Sequence, residues 1–132
     1  MEHTANKFTE SFEMYLKTIL ILSTESDCVR QIDLARALKV SRPSVHQAIR
    51  KLEADGYVSS SEDGNLSLLP AGLEVAENIY ERHRHFTGFL VHLGVDRVIA
   101  ELDACRMEHY VSEETFQAIK NFCQEGNCGE MY

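Results

Sequence analysis

Residues 41–69 read SRPSVHQAIRKLEADGYVSSSEDGNLSLL. Ser41 is a helix N-cap by type, and Pro43 suits a first turn, where its missing amide hydrogen has no helical partner. From Pro43 to Ala54, the residues Val45, Ile49 and Leu52 fall on one helical face. Asp55-Gly56 ends that helix, because glycine tolerates the left-handed C-terminal position. The pattern then becomes β-like. Tyr57–Ser61 reads as a short strand, Glu62-Asp63-Gly64-Asn65 as a turn, and Leu66–Leu69 as the returning strand. A helix that runs directly into a tight hairpin is the reading end of a winged helix-turn-helix, provided that two helices precede it.

The upstream sequence supplies them. Phe12, Tyr15, Leu16 and Ile19 follow i, i+3, i+4, i+7, which predicts a helix from about Phe8 to Leu22, with Ser23–Asp27 as a polar loop. Gln31–Leu38 is a second, shorter helix with Leu34, Ala35 and Leu38 inward, and residues 40–43 form the turn. Downstream, Pro70 opens a long helix to about Leu93, with Leu73, Ala76, Tyr80, His83 and Leu90 on its inward pattern. Gly94-Val95-Asp96 breaks it. Asp96 caps a helix that reaches about Tyr110, and Ser112 caps a last one with Phe116, Ile119 and Phe122 at helical spacing. The tail from Gln124 is expected to be loose. The fold class is mainly α with a small β wing.

A hydrophobic fraction of 44% and a charged fraction of 26% over 132 residues suit a globular chain of one domain, or of two very small ones. The longest aliphatic run, Ile19–Leu22, is far too short for a membrane span. No signal peptide is read at the N-terminus, so the expected compartment is the cytoplasm, with no membrane partner. The four cysteines, at 28, 105, 123 and 128, are irregularly spaced and give no support for disulfides. Cys123 and Cys128 lack the second Cys pair of a zinc ribbon.

The net charge of −8 argues against nucleic acid until its distribution is considered. Between Cys28 and Lys51, Arg30, Arg36, Lys39, Arg42, Arg50 and Lys51 face only Asp33. This segment is a basic patch on an acidic body, which is an electrostatic footprint for DNA; a solvated basic face is the plainer reading. Ser44, Gln47 and Lys51 lie on the third helix away from its core face. Glutamine pairs bidentately with adenine in the major groove, and serine reaches base or phosphate. Arg42, Arg50 and Lys51 are placed to neutralise phosphates, and the candidate interface is Arg30, Ser41, Arg42, Pro43, Ser44, Gln47, Arg50 and Lys51. A winged helix used for protein contacts is the alternative.

Cys105-Arg106-Met107-Glu108-His109 is the most chemically loaded stretch. Cys105, Glu108 and His109 stand at i, i+3, i+4, so a thiolate, a carboxylate and an imidazole project from one helical face. His83, on the preceding helix, can approach them if the two helices are antiparallel. Each also has a plainer reading. A free cysteine is usually a buried hydrophobe, Glu-His pairs are common on solvated faces, and Met14 alone reads as a core methionine.

Several segments in order give the chain a family resemblance. They are Glu13-Met14-Tyr15-Leu16-Lys17-Thr18-Ile19, Ser41-Arg42-Pro43-Ser44-Val45-His46-Gln47, Arg82-His83-Arg84, Gly94-Val95-Asp96, Ala104-Cys105-Arg106-Met107-Glu108-His109 and Cys123-Gln124-Glu125-Gly126-Asn127. From about Thr9 to Asn127 the sequence resembles the diphtheria-toxin-repressor family of metal-dependent transcriptional repressors. The resemblance implies a winged helix-turn-helix DNA-binding domain over 1–70, a helical dimerisation and metal-binding domain over 71–123 and a flexible tail over 124–132, without the SH3-like domain of longer members. It implies an activating metal site of Met14, Cys105, Glu108 and His109. The iron-responsive branch has Met and Cys at the positions of Met14 and Cys105. The manganese-responsive branch has carboxylates there and another acid where this chain has Lys17. Soft sulfur ligands disfavour manganese, so Fe(II) is the expected ion, with Mn(II), Zn(II), Co(II) and Ni(II) as alternatives. His83 matches an ancillary metal site, where Thr87 replaces a usual Glu and Glu101 a usual His, with His85 nearby.

The implied protein is an iron-responsive repressor that binds a palindromic double-stranded DNA operator as a homodimer, protein symmetry mirroring operator symmetry. Three rivals remain at this stage: a manganese- or other-metal-responsive member of the family, a metal-independent winged-helix regulator that responds to a small organic ligand, and a metal-binding or assembly module that does not read DNA. An enzyme is not expected, since no Ser-His-Asp or Gly-rich phosphate motif is present.

Overall fold

A computed structural model describes residues 7–127. In chain order the elements are α1 (Lys7–Glu25), α2 (Gln31–Leu38), α3 (Arg42–Ala54), β1 (Val58–Ser60), β2 (Leu66–Leu68), α4 (Pro70–His92), α5 (Arg97–Met107) and α6 (Glu113–Phe122). A π-helical turn, Cys123–Asn127, follows α6; the rest of the tail expected at 124–132 lies outside the described residues. Those residues fall into two compact units, Lys7–Glu77 and 78–127. No described helix is long and apolar enough to cross a membrane.

The first unit is three helices and a hairpin around one core. Leu16, Ile19, Leu34, Val45, Ile49, Leu52, Val58, Leu66 and Ala76 are buried together. The helical ones come from the apolar stripes of their helices, and Val58 and Leu66 from the inward side of the hairpin. Tyr15 joins them, and burial pushes its hydroxyl pKa up. α1 runs three residues beyond the expected Leu22. The hydroxyls of Ser23 and Thr24 donate back to the carbonyls of Ile19 and Ile21 at 2.7 and 2.6 Å, so these polar residues extend the helix instead of ending it. α2 stops at Lys39, a non-glycine residue in the left-handed region with φ 57°. α3 starts where the Ser41 side chain accepts from the Ser44 amide at 3.2 Å.

β1 and β2 pair antiparallel in the register Val58 with Leu68 and Ser60 with Leu66. Gly64, with φ 88°, makes the turn. The hairpin is also bonded to the α1–α2 loop. The Leu66 amide donates to the Val29 carbonyl at 2.8 Å, and the Val29 amide donates to Asn65 Oδ1 at 3.0 Å.

The second unit packs α4, α5 and α6 around Phe86, Ala104 and Phe116. Asp96 and Ser112 cap α5 and α6 through the Val98 and Thr115 amides. α5 is shorter than expected: it ends at Met107, and Glu108 to Val111 form a tight turn. In α4 the inward pattern also differs from expectation. Ala76, Ile79 and Phe86 are buried, whereas Leu73 and Tyr80 are over a third exposed.

Within the first unit, α4 presses its first turn on the residue before β1. A Cβ placed on Gly72 would lie 2.1 Å from the Tyr57 carbonyl oxygen. Exchanging glycine for alanine inside a helix normally stabilises by about 1 kcal/mol. Here the sign reverses, because backbone stands where the methyl would go. Gly72→Ala is expected to cost about 2 kcal/mol, the usual size of an overpacking penalty, read as a lower urea midpoint with an unchanged slope.

Candidate metal centre and DNA interface

Burial on α3 separates two faces. Val45, Ile49 and Leu52 are inside, while Arg42, Pro43, Ser44, Gln47, Arg50 and Lys51 are exposed. Ser41 is exposed as well, but its hydroxyl is engaged with Ser44 Oγ at 2.8 Å as part of the cap. Arg30 differs from the other candidates. Its guanidinium donates to the Asp63 carbonyl, and its amide donates to the Asp33 carboxylate at 2.9 Å, so it ties the start of α2 to the wing tip. The Asp63 carboxyl is held below the usual carboxylate range, chiefly by the Ser61 hydroxyl. Asn65 strengthens the same tie, with Nδ2 donating to the Asp27 carbonyl at 3.4 Å. Sequence reasoning reads Asn65 only as a turn residue; its place opposite residues 27–29 has no local signal.

In the second unit, Glu108 caps the C-terminal end of α5 and its side chain has no exposed surface. Its two carboxylate oxygens meet two imidazoles: Oε1 is 3.1 Å from His83 Nδ1, and Oε2 is 3.2 Å from His109 Nε2. The His109 side chain is likewise fully buried. The helical bond from the Glu108 amide to the Ala104 carbonyl, 2.9 Å, keeps Cys105 and Glu108 at one-turn spacing. Cys105 is not disulfide-bonded and is partly exposed. The structure therefore gathers His83, Glu108 and His109, with Cys105 one turn earlier on α5. The imidazoles contact the carboxylate itself; among the described residues no three His, Cys, Asp or Glu side chains already surround a common ion position. The donor chemistry nevertheless suits a transition metal: imidazole nitrogen, carboxylate oxygen and thiol sulfur, two of the side chains without solvent contact. A carboxylate so buried requires positive charge or donors close by.

Met14 lies on α1, in the first unit, where it lines a groove of about 560 Å³ with Tyr15, Leu38 and Val40. Lys17 is buried on the same helix. Glu101 is exposed and pairs with Arg97 Nε at 3.1 Å. Thr87 and His85 are both buried, and Thr87 Oγ1 and His85 Nδ1 have no hydrogen-bond partner among the described residues. His85 stands edge-on to Phe116, 5.8 Å between centroids, with Nε2 3.9 Å from Glu81. Cys123 is buried and disulfide-bonded, contrary to the expectation from cysteine spacing.

Arg82 precedes His83, and sequence reasoning gives it no role. Its guanidinium donates to the carbonyls of Glu108 and Val111 at 3.3 and 2.5 Å and to the Glu113 carboxylate at 3.0 Å.

Burial also predicts a pH response. Desolvation pulls the His85 pKa down, with Glu81 opposing and Lys120 and Arg84 adding to the fall. The unfolded chain then binds more protons than the folded one, so stability drops as pH falls through the ordinary histidine value of about 6.5. Urea midpoints between about pH 7.5 and 5.5 are expected to fall in the wild type and to fall less in His85→Leu.

Two family models match the chain. The model described as "Iron dependent repressor, N-terminal DNA binding domain" covers residues 7–66, and "Iron dependent repressor, metal binding and dimerisation domain" covers residues 69–127. The transcriptional regulator MntR of Salmonella typhimurium is 36% identical over 116 residues, covering 88% of this chain and 74% of that protein. The diphtheria toxin repressor of Corynebacterium glutamicum is 34% identical over 106 residues, covering 80% of this chain and 46% of that protein. The structure of the manganese regulator SloR superposes with a TM-score of 0.76 at 27% identity, covering 86% of this chain and 53% of that one. The chain thus spans about half the length of the last two proteins.

Proposed function

This chain belongs to the iron-dependent repressor family of metal-dependent transcriptional regulators, and from that premise we propose that it is an iron-responsive repressor that binds a palindromic operator as a homodimer. The observation that carries the metal reading is Glu108: a carboxylate without solvent contact, held between His83 and His109, one turn after the cysteine at 105.

The residues that would hold the ion are Met14, Cys105, Glu108 and His109, with His83 as the nearest further nitrogen. The bound ion supplies positive charge and a coordination centre to a carboxylate that water does not reach. His83 and His109 would offer imidazole nitrogens, and Cys105 its sulfur. Glu101, paired with Arg97, and Thr87, which lacks a carboxylate, give little support to a full second site. Met14 belongs to the Lys7–Glu77 unit and the other three to the second. Ligation by both would restrict the reading unit and raise the fraction of molecules able to engage two half-sites, coupling metal and DNA affinity reciprocally.

Iron is favoured over manganese by donor softness, since Met14 and Cys105 bring thioether and thiolate where manganese prefers oxygen. Manganese remains the second reading because SloR, a structural relative, is described as a manganese regulator.

On the DNA side, Gln47 and Ser44 read base edges while Arg42, Arg50 and Lys51 bind phosphate. Arg30 contributes mainly through the wing that it holds. For the homodimer, Leu93, Val98, Ile99 and Leu102 are more than half exposed apolar side chains of the second unit, a surface that a second copy would cover.

Anaerobic binding to a genomic DNA library with Fe(II), with Mn(II) or with chelator tests the reading. Palindromic enrichment is expected only with metal and best with Fe(II), and Met14→Ala and Cys105→Ala are expected to lose the response. Equal enrichment under chelator would overturn metal sensing. On the enriched operator, Arg42→Ala is expected to weaken binding to all sequences and to lower the salt slope by about one. Gln47→Ala is expected to cost about 1–3 kcal/mol and to relax preference at one base position.

A further inference from the structure

We propose that Arg82 is a positioning residue for the ligand pair Glu108 and His109. The role rests on the metal reading above. α5 ends at Met107 and a turn of five residues leads to α6, so Glu108 caps α5 and His109 stands on the turn beyond it. The last carbonyls of a helix lack intrahelical partners and attract positive charge. Arg82 meets that need. Nη1 donates to the Glu108 carbonyl at 3.3 Å and to the Val111 carbonyl at 2.5 Å, bracketing the turn from both sides of His109. Nη2 reaches the Glu113 carboxylate at 3.0 Å, and the guanidinium lies 5.1 Å from the centre of the Phe116 ring.

α4 therefore holds Glu108 twice. His83 contacts its carboxylate at 3.1 Å, and the preceding residue contacts its main-chain oxygen. The contacts with the carbonyls are the ones that matter. The Arg82 side chain is only 15% exposed, whereas Glu113 is 69% exposed, and an ion pair with so exposed a partner is worth little. The planar fork of arginine joins two carbonyls and a carboxylate at once, which a lysine ammonium on a flexible stem does less well.

The test uses Co(II) as the probe on the full chain, anaerobically, followed by cobalt d–d and thiolate-to-cobalt absorption. Urea unfolding and amide exchange of the metal-free protein run beside it. Arg82→Gln is expected to lower Co(II) affinity about tenfold or more, the size seen when groups that orient metal ligands are removed, and to alter the d–d bands. Arg82→Lys should fall between, and Glu113→Gln should stay near the wild type. In metal-free Arg82→Gln, the amides of residues 108–111 should exchange faster while those of α4 keep their protection. A folded Arg82→Gln protein with wild-type affinity and spectrum would overturn the role. So would a loss no larger than that of Gly72→Ala at equal destabilisation. If Arg82→Gln does not fold, Arg82→Lys carries the same comparison. Wild-type protein that takes up no Co(II) would overturn the metal reading itself, and this role with it.

Discussion

A carboxylate with no water around it must find its positive charge and its hydrogen-bond donors within the protein, and Glu108 is in that position. Much of the second unit can be understood as the answer. α4 brings His83 to one oxygen, the turn after α5 brings His109 to the other, and Arg82 takes the main chain of the same residue. Phe86 and Phe116 close the interior beside them, with rings crossed edge to face at 5.7 Å, which fixes the spacing of α4 and α6 around the turn. A neutral side chain at position 108 would leave two imidazoles facing no charge, whereas Arg82 would keep its main-chain carbonyls.

The first unit obeys a simpler constraint. One short helix has to bury Val45, Ile49 and Leu52 while it keeps Arg42, Ser44, Gln47 and Arg50 in solvent. The core is thus what aims the polar face, and the hairpin braces it from the side through Val29, Arg30 and Asn65. Local charge matters more here than the total. A net −8 spread over the whole chain repels DNA, but the basic residues are concentrated between positions 30 and 51.

The sequence makes the elements legible where periodicity and punctuation agree. α3 carries a clean apolar stripe between the Ser41 cap and the Asp55-Gly56 stop, and its bounds follow from it. α1 is harder to end by eye, because serine and threonine look like loop residues until their hydroxyls turn back to the carbonyls of the previous turn. The α4 stripe misleads at Leu73 and Tyr80, since a long helix carries apolar residues on more than one face. At the candidate site, the residue types at 105, 108 and 109 are legible from i, i+3, i+4 spacing. The approach of His83 to Glu108 spans 25 positions and depends on how α4 and α5 pack. Arg82 is still less visible. Its partners are main-chain carbonyls, which have no residue type and become available only once the turn is built.

The bond between the Leu66 amide and the Val29 carbonyl has a meaning for self-association as well. A two-stranded ribbon has two open edges, and open edges invite pairing with other chains. The α1–α2 loop takes up the Leu66 amide on the open side of β2, so that edge is partly covered by its own chain. The other edge, along β1, is three residues long and presents exposed serines. A stretch so short and polar offers a poor template for intermolecular strand addition. The wing can therefore project toward a large, repetitive polymer such as DNA, at high local protein concentration, without joining its neighbours edge to edge.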